Sequence, residues 1–488
     1  MLKILLVDAN SSWLLKDKSM QDLEQIIPPL GLMYIATIIK GRFSNKIEVK
    51  LINAVMDCPS NNDFSKIVEE FRPDLVGIRG LNIYKERFHQ FAQISKRIKE
   101  DIIVIGGGPY PTMDTQSALR DKNVDYLVLG EAEDIFVIIV DSILSNHSFL
   151  DAPAIAYRLK DKLVINAAEK VTANLNSLPF PDYNLISVER YGNTISYGYN
   201  RRKQGLILTS RGCPYGCIYC HNMFGKEFRP RSAQNVFQEI KQLYDDFKIR
   251  DFYFIDDCFN LDYKRCIEIF DLIINSGIKV NLYLTNGIRG DIVDFTFVDK
   301  MIEAGVIWVT YALETASPRL QKFIKKFNDL DKLRKVIDYT CEKEIMTNCC
   351  FMVGFPTETK EEVLQTINYV KNFKKINIPM FFSVKYYPNT EIYDLAIKYG
   401  LDVDNIKYAY SETYHDIRHA QTPLIPKKEF RSIYFQFLKE VFLSKERLSN
   451  AIKIQKKFLT EQELLDVYSI FLRKRVRSLQ EDIFRYAA

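Results

Sequence analysis

The feature that most limits the fold of this chain is a regular alternation of short apolar runs with amphipathic segments. Within residues 1–145, segments such as 84–99 carry apolar residues at helical spacing and separate five runs of strand length. Those runs are residues 3–7, 49–53, 75–78, 102–105 and 126–129. Strands that alternate with helices pair in parallel and are covered by helices on both faces. The N-terminal part therefore predicts a doubly wound, Rossmann-like α/β domain.

A second series of strand and helix patterns runs from Gly205 to about Thr390. Its strands are expected at residues 205–209, 251–255, 279–285, 307–311, 346–353 and 380–386. Six β/α units suit a partial barrel, shorter than the eight units of a closed one. The chain then ends in a helical, basic region in which residues 430–442 and 461–475 are amphipathic.

These patterns predict four segments along the chain. We expect a first domain over residues 1–148, a linker over 149–200, a partial barrel over 201–424 and a helical region over 425–488. The linker contains Pro179 and Pro181, which interrupt regular structure twice within three residues.

Composition limits the cellular setting and the class of partner. The longest apolar runs, residues 102–105 and 135–140, are far shorter than the roughly 20 residues that span a bilayer. The first eight residues form a strand pattern and lack the basic region of a signal peptide. A net charge of +5 on 488 residues does not by itself indicate nucleic acid. We therefore expect a cytoplasmic protein that neither inserts into membranes nor binds nucleic acid.

Three cysteines lie on one loop directly after the first strand of the second series. Cys213, Cys217 and Cys220 have the spacing C-x3-C-x2-C, and nine cysteines in a cytoplasmic chain favour metal or redox chemistry. Thiolates so spaced can bind three irons of a cubane cluster and leave the fourth iron open. Zinc is the alternative, but it prefers four closed ligands and only His221 is at hand. The loop therefore predicts a [4Fe–4S] cluster.

This loop, with its aromatic residue just before the last cysteine, resembles the signature of the radical SAM superfamily. Five further blocks resemble the cobalamin-dependent branch of that superfamily. They are residues 228–232, 254–257, 312–317, 354–359 and 387–391. The resemblance implies that the open iron chelates the amino and carboxylate groups of S-adenosyl-L-methionine (SAM), whose reductive cleavage yields a 5′-deoxyadenosyl radical.

The resemblance also implies which residues contact SAM. Tyr219 would touch the adenine, largely through its backbone, and Gly354 would let the backbone approach the same ring. Asp256 and Asp257 follow the second barrel strand and Glu314 ends the fourth, where they would meet the methionine ammonium or the ribose hydroxyls. The alternative for Glu314 is a solvated carboxylate beside the cap of the next helix.

The N-terminal domain resembles the cobalamin (B12)-binding domain of the same family. The matching blocks are residues 27–36, 73–78, 106–112 and 125–131, in which glycines would let the backbone approach a corrin edge and a nucleotide tail. Taken alone, the glycines at 106–108 are equally compatible with a phosphate loop or a tight turn. The implied cobalamin contacts are Pro29, Gly31, Gly77, Gly106, Gly107, Gly108, Gly130 and Glu131.

One departure from other cobalamin proteins concerns the lower face of cobalt. The D-x-H-x-x-G loop that supplies a histidine is absent, because residues 8–13 contain no imidazole. His89 and His147 fall in helix and loop contexts away from the expected binding edge. We therefore expect a cobalamin with its benzimidazole tail detached from the metal and no histidine in its place.

The function that the resemblance implies is methylation of an unactivated carbon, less often phosphorus, of a small-molecule or peptide substrate. One SAM would methylate cobalamin and another would give the radical, with electrons from flavodoxin or ferredoxin. The alternatives are rearrangement, cyclisation or ring contraction without methyl transfer, and a non-catalytic corrinoid or iron–sulfur carrier. Methylthiolation would require a further N-terminal cysteine triad, whereas only Cys58 precedes Cys213.

Overall fold

The computed structural model describes residues 1–10, 25–160, 162–167, 172–220, 223–402, 406 and 422–469. The chain divides into two compact units. One comprises residues 1–191 together with 222–225, and the other comprises 192–221 together with 226–488. Within the described ranges, no helix is both long and apolar enough to cross a membrane.

A seven-stranded sheet forms the centre of the first unit. Its strands are β1 (Leu2–Asp8), β2 (Ile47–Asn53), β3 (Leu75–Arg79), β4 (Ile103–Gly107), β5 (Tyr126–Val128), β6 (Ile155–Leu159) and β7 (Lys162–Ile165). The order is β2-β1-β3-β4-β5-β6-β7. The first five strands are parallel, as predicted, and the last two add an antiparallel hairpin. This hairpin lies in the segment for which the sequence predicts a linker.

Helices cover both faces of this sheet. They are α1 (Leu30–Phe43), α2 (Ala54–Asp57), α3 (Asn61–Phe71), α4 (Lys85–Ile98), α5 (Pro109–Met113), α6 (Thr115–Arg120), α7 (Glu133–Leu144) and α8 (Val188–Gly192). Side chains of β1 alternate between two apolar cores, with Leu5 in the core that contains α3 and α4, and Leu6 in the core that contains α1 and α7. The doubly wound fold is confirmed.

The second unit contains an open sheet of six parallel strands. They are β8 (Gln204–Ile207), β11 (Asp251–Phe254), β12 (Asn281–Ile288), β13 (Val306–Glu314), β14 (Met346–Val353) and β15 (Ile378–Ser383), paired in chain order. Two short antiparallel strands, β9 (Ser210–Arg211) and β10 (Arg229–Pro230), follow β8. Six consecutive parallel strands joined by helices are the predicted partial barrel.

Helices connect the strands of the barrel and also form the C-terminal region. They are α9 (Ala233–Asp246), α10 (Tyr263–Ser276), α11 (Phe295–Glu303), α12 (Pro318–Phe323), α13 (Leu330–Glu342), α14 (Lys360–Lys371), α15 (Glu391–Lys398), α16 (Lys427–Phe437) and α17 (Lys445–Gln455). Residues 461–469 are helical as well, which confirms the helical C-terminus. The rest of the amphipathic run predicted to residue 475 lies outside the described residues.

Polar side chains close the amino end of the barrel sheet. Asn200 Nδ2 donates to the hydroxyls of Tyr253 and Tyr283 at 3.0 and 2.9 Å, and these two rings stack with centroids 4.3 Å apart. The helix over residues 461–469 joins this end through Glu463, whose carboxylate lies 3.3 Å from the guanidinium of Arg202. The carboxyl ends of the strands are therefore the end at which a site can form.

Candidate functional site

The cysteine loop begins at the end of β9, which follows β8, and leads to β10, which pairs with β9. Gly212 has φ +84°, a conformation that favours glycine, and the chain turns there away from the buried strand. Cys213 and Cys217 are half-buried, while Cys220 is exposed. His221, the fourth ligand that zinc would need, lies outside the described residues.

The centre of the loop is anchored to two helices. The Ile218 N–H donates to the Ile324 carbonyl at 3.2 Å, and the Ile218 carbonyl accepts the Ile392 N–H at 3.1 Å. The Ile218 side chain is buried in the apolar cluster that α12 and α15 share. Cys217 Sγ lies 3.7 Å from the Lys325 carbonyl. These contacts fix the loop before any cofactor binds.

The three thiols of this loop suit the separate irons of a cluster. Among the residues that the structure describes, no group of three or more His, Cys, Asp or Glu side chains surrounds one metal-ion position. A cubane takes each thiolate on a different iron, so its ligands need not converge on one point. A hydrogen bond with the Cys258 thiol lowers the pKa of Cys213 to about 6, which favours the thiolate that iron binds.

The two aspartates after β11 have different environments. Asp256 is only 2% exposed, and its Oδ1 accepts hydrogen bonds from Thr209 Oγ1 at 2.6 Å and Ser210 Oγ at 2.5 Å. Asp257 is exposed and accepts the Gly212 N–H at 3.3 Å. Asp256 therefore joins the ends of β8 and β11, and Asp257 holds the start of the cysteine loop.

Glu314 is buried and paired at the end of β13. Its Oε1 lies 3.1 Å from Lys326 Nζ, and its backbone has φ +66°. The next helix is capped by Ser317, which accepts the Leu320 N–H. Glu314 is therefore not a solvated neighbour of that cap.

Gly354 is held from both sides at the end of β14. Its N–H donates to Glu358 Oε2 at 2.6 Å, and its carbonyl accepts a hydrogen bond from the Tyr386 hydroxyl. A Cβ built on Gly354 would have no atom within 4 Å, so this face of the turn is open. Beside it, the rings of Tyr219 and Phe355 lie 6.3 Å apart. The turn can meet a planar group through its open face.

Four buried polar atoms near the carboxyl ends of the strands lack a hydrogen-bond partner within the described chain. They are Asp256 Oδ2, Thr285 Oγ1, Asn328 Oδ1 and Glu358 Oε1. Burial raises the pKa of the Glu358 carboxyl to about 8. Buried polar atoms are nearly always paired, so unpaired ones at the carboxyl ends of the strands indicate a polar ligand. Ligands of β/α barrels bind at this end of the sheet, and these residues fit SAM.

In the first unit, the turns that follow three neighbouring strands are hydrogen-bonded to one another. The Gly80 N–H donates to the Gly107 carbonyl at 2.9 Å, and the Tyr110 N–H donates to the Gly80 carbonyl at 3.0 Å. The Gly130 N–H donates to Thr112 Oγ1 at 3.1 Å. The turns after β3, β4 and β5 therefore meet at the edge where ligands of doubly wound sheets bind.

The glycines for which the sequence predicts cobalamin contacts fall into two groups. A Cβ on Gly77 would lie 2.7 Å from Leu6, and one on Gly106 would lie 2.6 Å from Phe88, so both glycines are required for core packing. Gly31 has no atom within 4 Å of a Cβ, and Gly107 has none closer than 3.6 Å. Gly31 and Gly107 therefore leave room for a ligand.

The remaining predicted contacts lie at turns. Gly108 and Gly130 have φ +86° and +74°, and Glu131, next to Gly130, is buried. The Pro29 carbonyl accepts the N–H groups at the start of α1. Pro29 also borders a cavity of about 340 Å³ beside β2, which is otherwise lined by residues with no predicted role.

Of the two histidines described in the first unit, one is held by hydrogen bonds and the other follows a helix that leads away from the carboxyl ends of the strands. His89 Nδ1 lies 2.8 Å from Asp121 Oδ2, and its Nε2 lies 2.8 Å from the Tyr110 hydroxyl. His147 is exposed in the turn after α7. The described edge fits a cobalamin that keeps no axial imidazole from these two residues.

Comparisons with known proteins agree with this geometry. Residues 207–370 match the sequence profile of the Radical SAM superfamily, and residues 20–140 match that of the B12 binding domain. The chain belongs to the cobalamin-binding branch of the radical SAM enzymes. The cofactors of that branch are a [4Fe–4S] cluster, SAM and cobalamin.

Two curated relatives are similar over most of their length. An uncharacterized methyltransferase of Pyrococcus horikoshii is 28% identical over 85% of this chain and 90% of its own. The cytidylyl-2-hydroxyethylphosphonate methyltransferase of Streptomyces wedmorensis is 24% identical over 80% of this chain and 82% of its own. Among solved structures, the radical SAM methyltransferase TsrM of Kitasatospora setae shares the fold, with a TM-score of 0.67 and 19% identity over 82% of this chain and 78% of its own.

Two variants should distinguish the glycines that are required for core packing from those that leave room for a ligand. Gly106→Ala places a methyl group against Leu127 and Phe88, each 2.6 Å away, and should lower the free energy of unfolding by about 1–3 kcal/mol. Gly107→Leu should leave the unfolding temperature unchanged and weaken binding of hydroxocobalamin at least tenfold, measured by equilibrium dialysis. Equal hydroxocobalamin affinity in Gly107→Leu and the unchanged protein would remove Gly107 from the cobalamin site.

Proposed function

We propose that this protein transfers a methyl group from SAM to an unactivated carbon, or less often phosphorus, of a small-molecule or peptide substrate. The observation that carries the proposal is an anchored three-cysteine loop at the carboxyl end of a six-stranded β/α sheet, in a chain that also has a B12-binding domain. The two curated relatives described above, both named as methyltransferases, support methyl transfer over other radical chemistry.

In this proposal, each group of barrel residues has its own role in binding the cluster and SAM. Cys213, Cys217 and Cys220 hold the cluster on their thiolates, and Asp256 and Glu314 offer carboxylate oxygens to the methionine ammonium or the ribose. Asp257 holds the loop start through the Gly212 N–H. Tyr219 and the open face of Gly354 bracket the adenine. When bound, the cluster and cobalamin supply the electron and the methyl carrier that SAM chemistry requires.

In this proposal, cobalamin binds against the glycine-rich turns of the first unit. Pro29, Gly31, Gly107, Gly108 and Gly130 give backbone surface without bulky side chains, and Glu131 supports the last of these turns. Gly77 and Gly106 act behind them, by letting Leu6 and Phe88 pack. The exclusion of bulky groups allows a large planar ring to approach the backbone.

The domain limits and partners follow from the same proposal. We assign cobalamin binding to residues 1–148, SAM chemistry to 201–424 and support of the barrel to 425–488, while residues 149–200 extend the first sheet by a hairpin and then lead to the barrel. We place the protein in the cytoplasm, where thiols stay reduced and a flavodoxin or ferredoxin can deliver electrons.

Methyl transfer can be tested before the substrate is known. The protein reconstituted without oxygen, which should hold about four irons and four sulfides per chain, is mixed with SAM, hydroxocobalamin and a chemical reductant. We expect 5′-deoxyadenosine, and also S-adenosylhomocysteine in amounts that depend on cobalamin. The variant with Cys213, Cys217 and Cys220 replaced by Ala should give no 5′-deoxyadenosine.

Two results would contradict these expectations. Production of 5′-deoxyadenosine without cobalamin-dependent S-adenosylhomocysteine would favour rearrangement or cyclisation over methylation. A full iron content in the triple cysteine variant would place the cluster ligands elsewhere in the chain.

The state of cobalt gives a separate test. Because His89 is held by Asp121 and Tyr110, and His147 follows α7 at its end away from the carboxyl ends of the strands, we expect the electron paramagnetic resonance lines of bound Co(II) to show no splitting by an axial nitrogen. Three-line splitting that persists in His89→Ala and His147→Ala would mean that the benzimidazole remains on the metal. Splitting lost in only one of those variants would identify an axial histidine.

A further inference from the structure

Glu314, which is assigned to SAM above, forms a buried ion pair with Lys326, a residue that has no part in the assignments so far. Glu314 and Lys326 are 3.1 Å apart, and their side chains are only 10% and 11% exposed. Burial opposes the charge of Lys326, while the Glu314 carboxylate, together with nearby thiols, raises the pKa of the lysine. Lys326 is therefore a buried cation at neutral pH, which proteins retain only where it is paired.

The backbone around this pair is strained. Glu314, Lys325 and Phe327 have φ of +66°, +53° and +53°, values that side-chain-bearing residues rarely adopt. Such strain costs free energy and persists where the surroundings over-determine the conformation, as they often do at functional sites.

Hydrogen bonds fix the loop that carries Lys326. The Arg289 guanidinium donates to the carbonyls of Lys326 at 3.0 Å and Phe327 at 3.3 Å. The Lys326 N–H donates to the Gln321 carbonyl at 3.0 Å, and the Asn328 N–H donates to Gln321 Oε1 at 3.1 Å. The position of the ammonium is therefore set by protein contacts.

The same loop contacts a cluster ligand. Cys217 Sγ lies 3.7 Å from the Lys325 carbonyl, and the next residue, Ile218, is bonded to Ile324. Lys326 directly follows the residue whose carbonyl contacts Cys217, so the Glu314–Lys326 pair lies beside this cluster ligand. Net charge around an iron–sulfur cluster is one of the factors that set its reduction potential.

We propose that Lys326 is a positioning residue whose ammonium, opposed by Glu314, sets the reduction potential of the cluster on Cys213, Cys217 and Cys220. The cluster gains one electron and no proton on reduction, so a fixed cation favours the reduced form and a fixed anion favours the oxidised form. The inference rests on the cluster of the proposed function and not on methyl transfer.

The test is a redox titration of the reconstituted full-length protein, without SAM, followed by electron paramagnetic resonance. In Lys326→Met the ratio of reduced to oxidised cluster at a fixed potential should fall about tenfold, which for a one-electron couple is about 59 mV. Glu314→Gln should shift the potential in the opposite direction. Lys326→Arg, which keeps the charge, should match the unchanged protein.

Lys325→Met is the matched control, because it removes the same charge one residue away. The Lys325 ammonium pairs with Glu391 on the surface, where water and salt screen it, so this variant should not move the potential. The double variant Lys326→Met with Glu314→Gln keeps the local net charge and leaves no unpaired buried ion. It should return to the unchanged potential.

Loss of structure alone would not shift the reduction potential in opposite directions in Lys326→Met and Glu314→Gln. Shifts of the same sign in both, or equal shifts in Lys326→Met and Lys325→Met, would overturn the inference. The cysteine-dependent production of 5′-deoxyadenosine is measured separately, so either idea can fail without the other.

Discussion

Parallel pairing of consecutive strands is the constraint on which the site depends. Because β8 and β11–β15 all run in the same direction, their carboxyl ends meet at one edge of the sheet. Asp256, Glu314 and Gly354 lie at three of those ends, and the cysteine loop follows a fourth. Residues more than a hundred positions apart therefore share one site, and the amino end is closed by Asn200 and the tyrosines that it contacts.

Anchoring of the loop and of its surroundings prepares this edge for cofactors. Ile218 ties the loop to α12 and α15, while Glu358 and Tyr386 hold the Gly354 turn. Carboxylates and hydroxyls that stay unpaired in a buried setting cost stability, and binding a polar ligand recovers it. The same preparation is present at Gly107, where the backbone is bonded and yet open to approach.

The sequence was sufficient for features that depend on neighbours along the chain. The strand series follow from local periodicity, and the cysteine spacing lies within one loop. It could not separate Gly106 from Gly107, because the difference is made by Phe88 on α4 and Leu127 on β5, which pack only against Gly106. Lys326 was missed for the same reason, since its partner Glu314 is twelve residues away, on the other side of α12. The hairpin of β6 and β7 is too short for a clear alternating pattern.

The central claim is that the three cysteines hold a cluster with one iron open to SAM, and Mössbauer spectroscopy of protein reconstituted with ⁵⁷Fe tests it most directly. We expect the spectrum of a [4Fe–4S] cluster in which the signal of one iron changes when SAM is added. The variants Cys213→Ala, Cys217→Ala and Cys220→Ala should lose that spectrum. A cluster whose four irons are unaffected by SAM, or one that survives loss of these cysteines, would contradict the account.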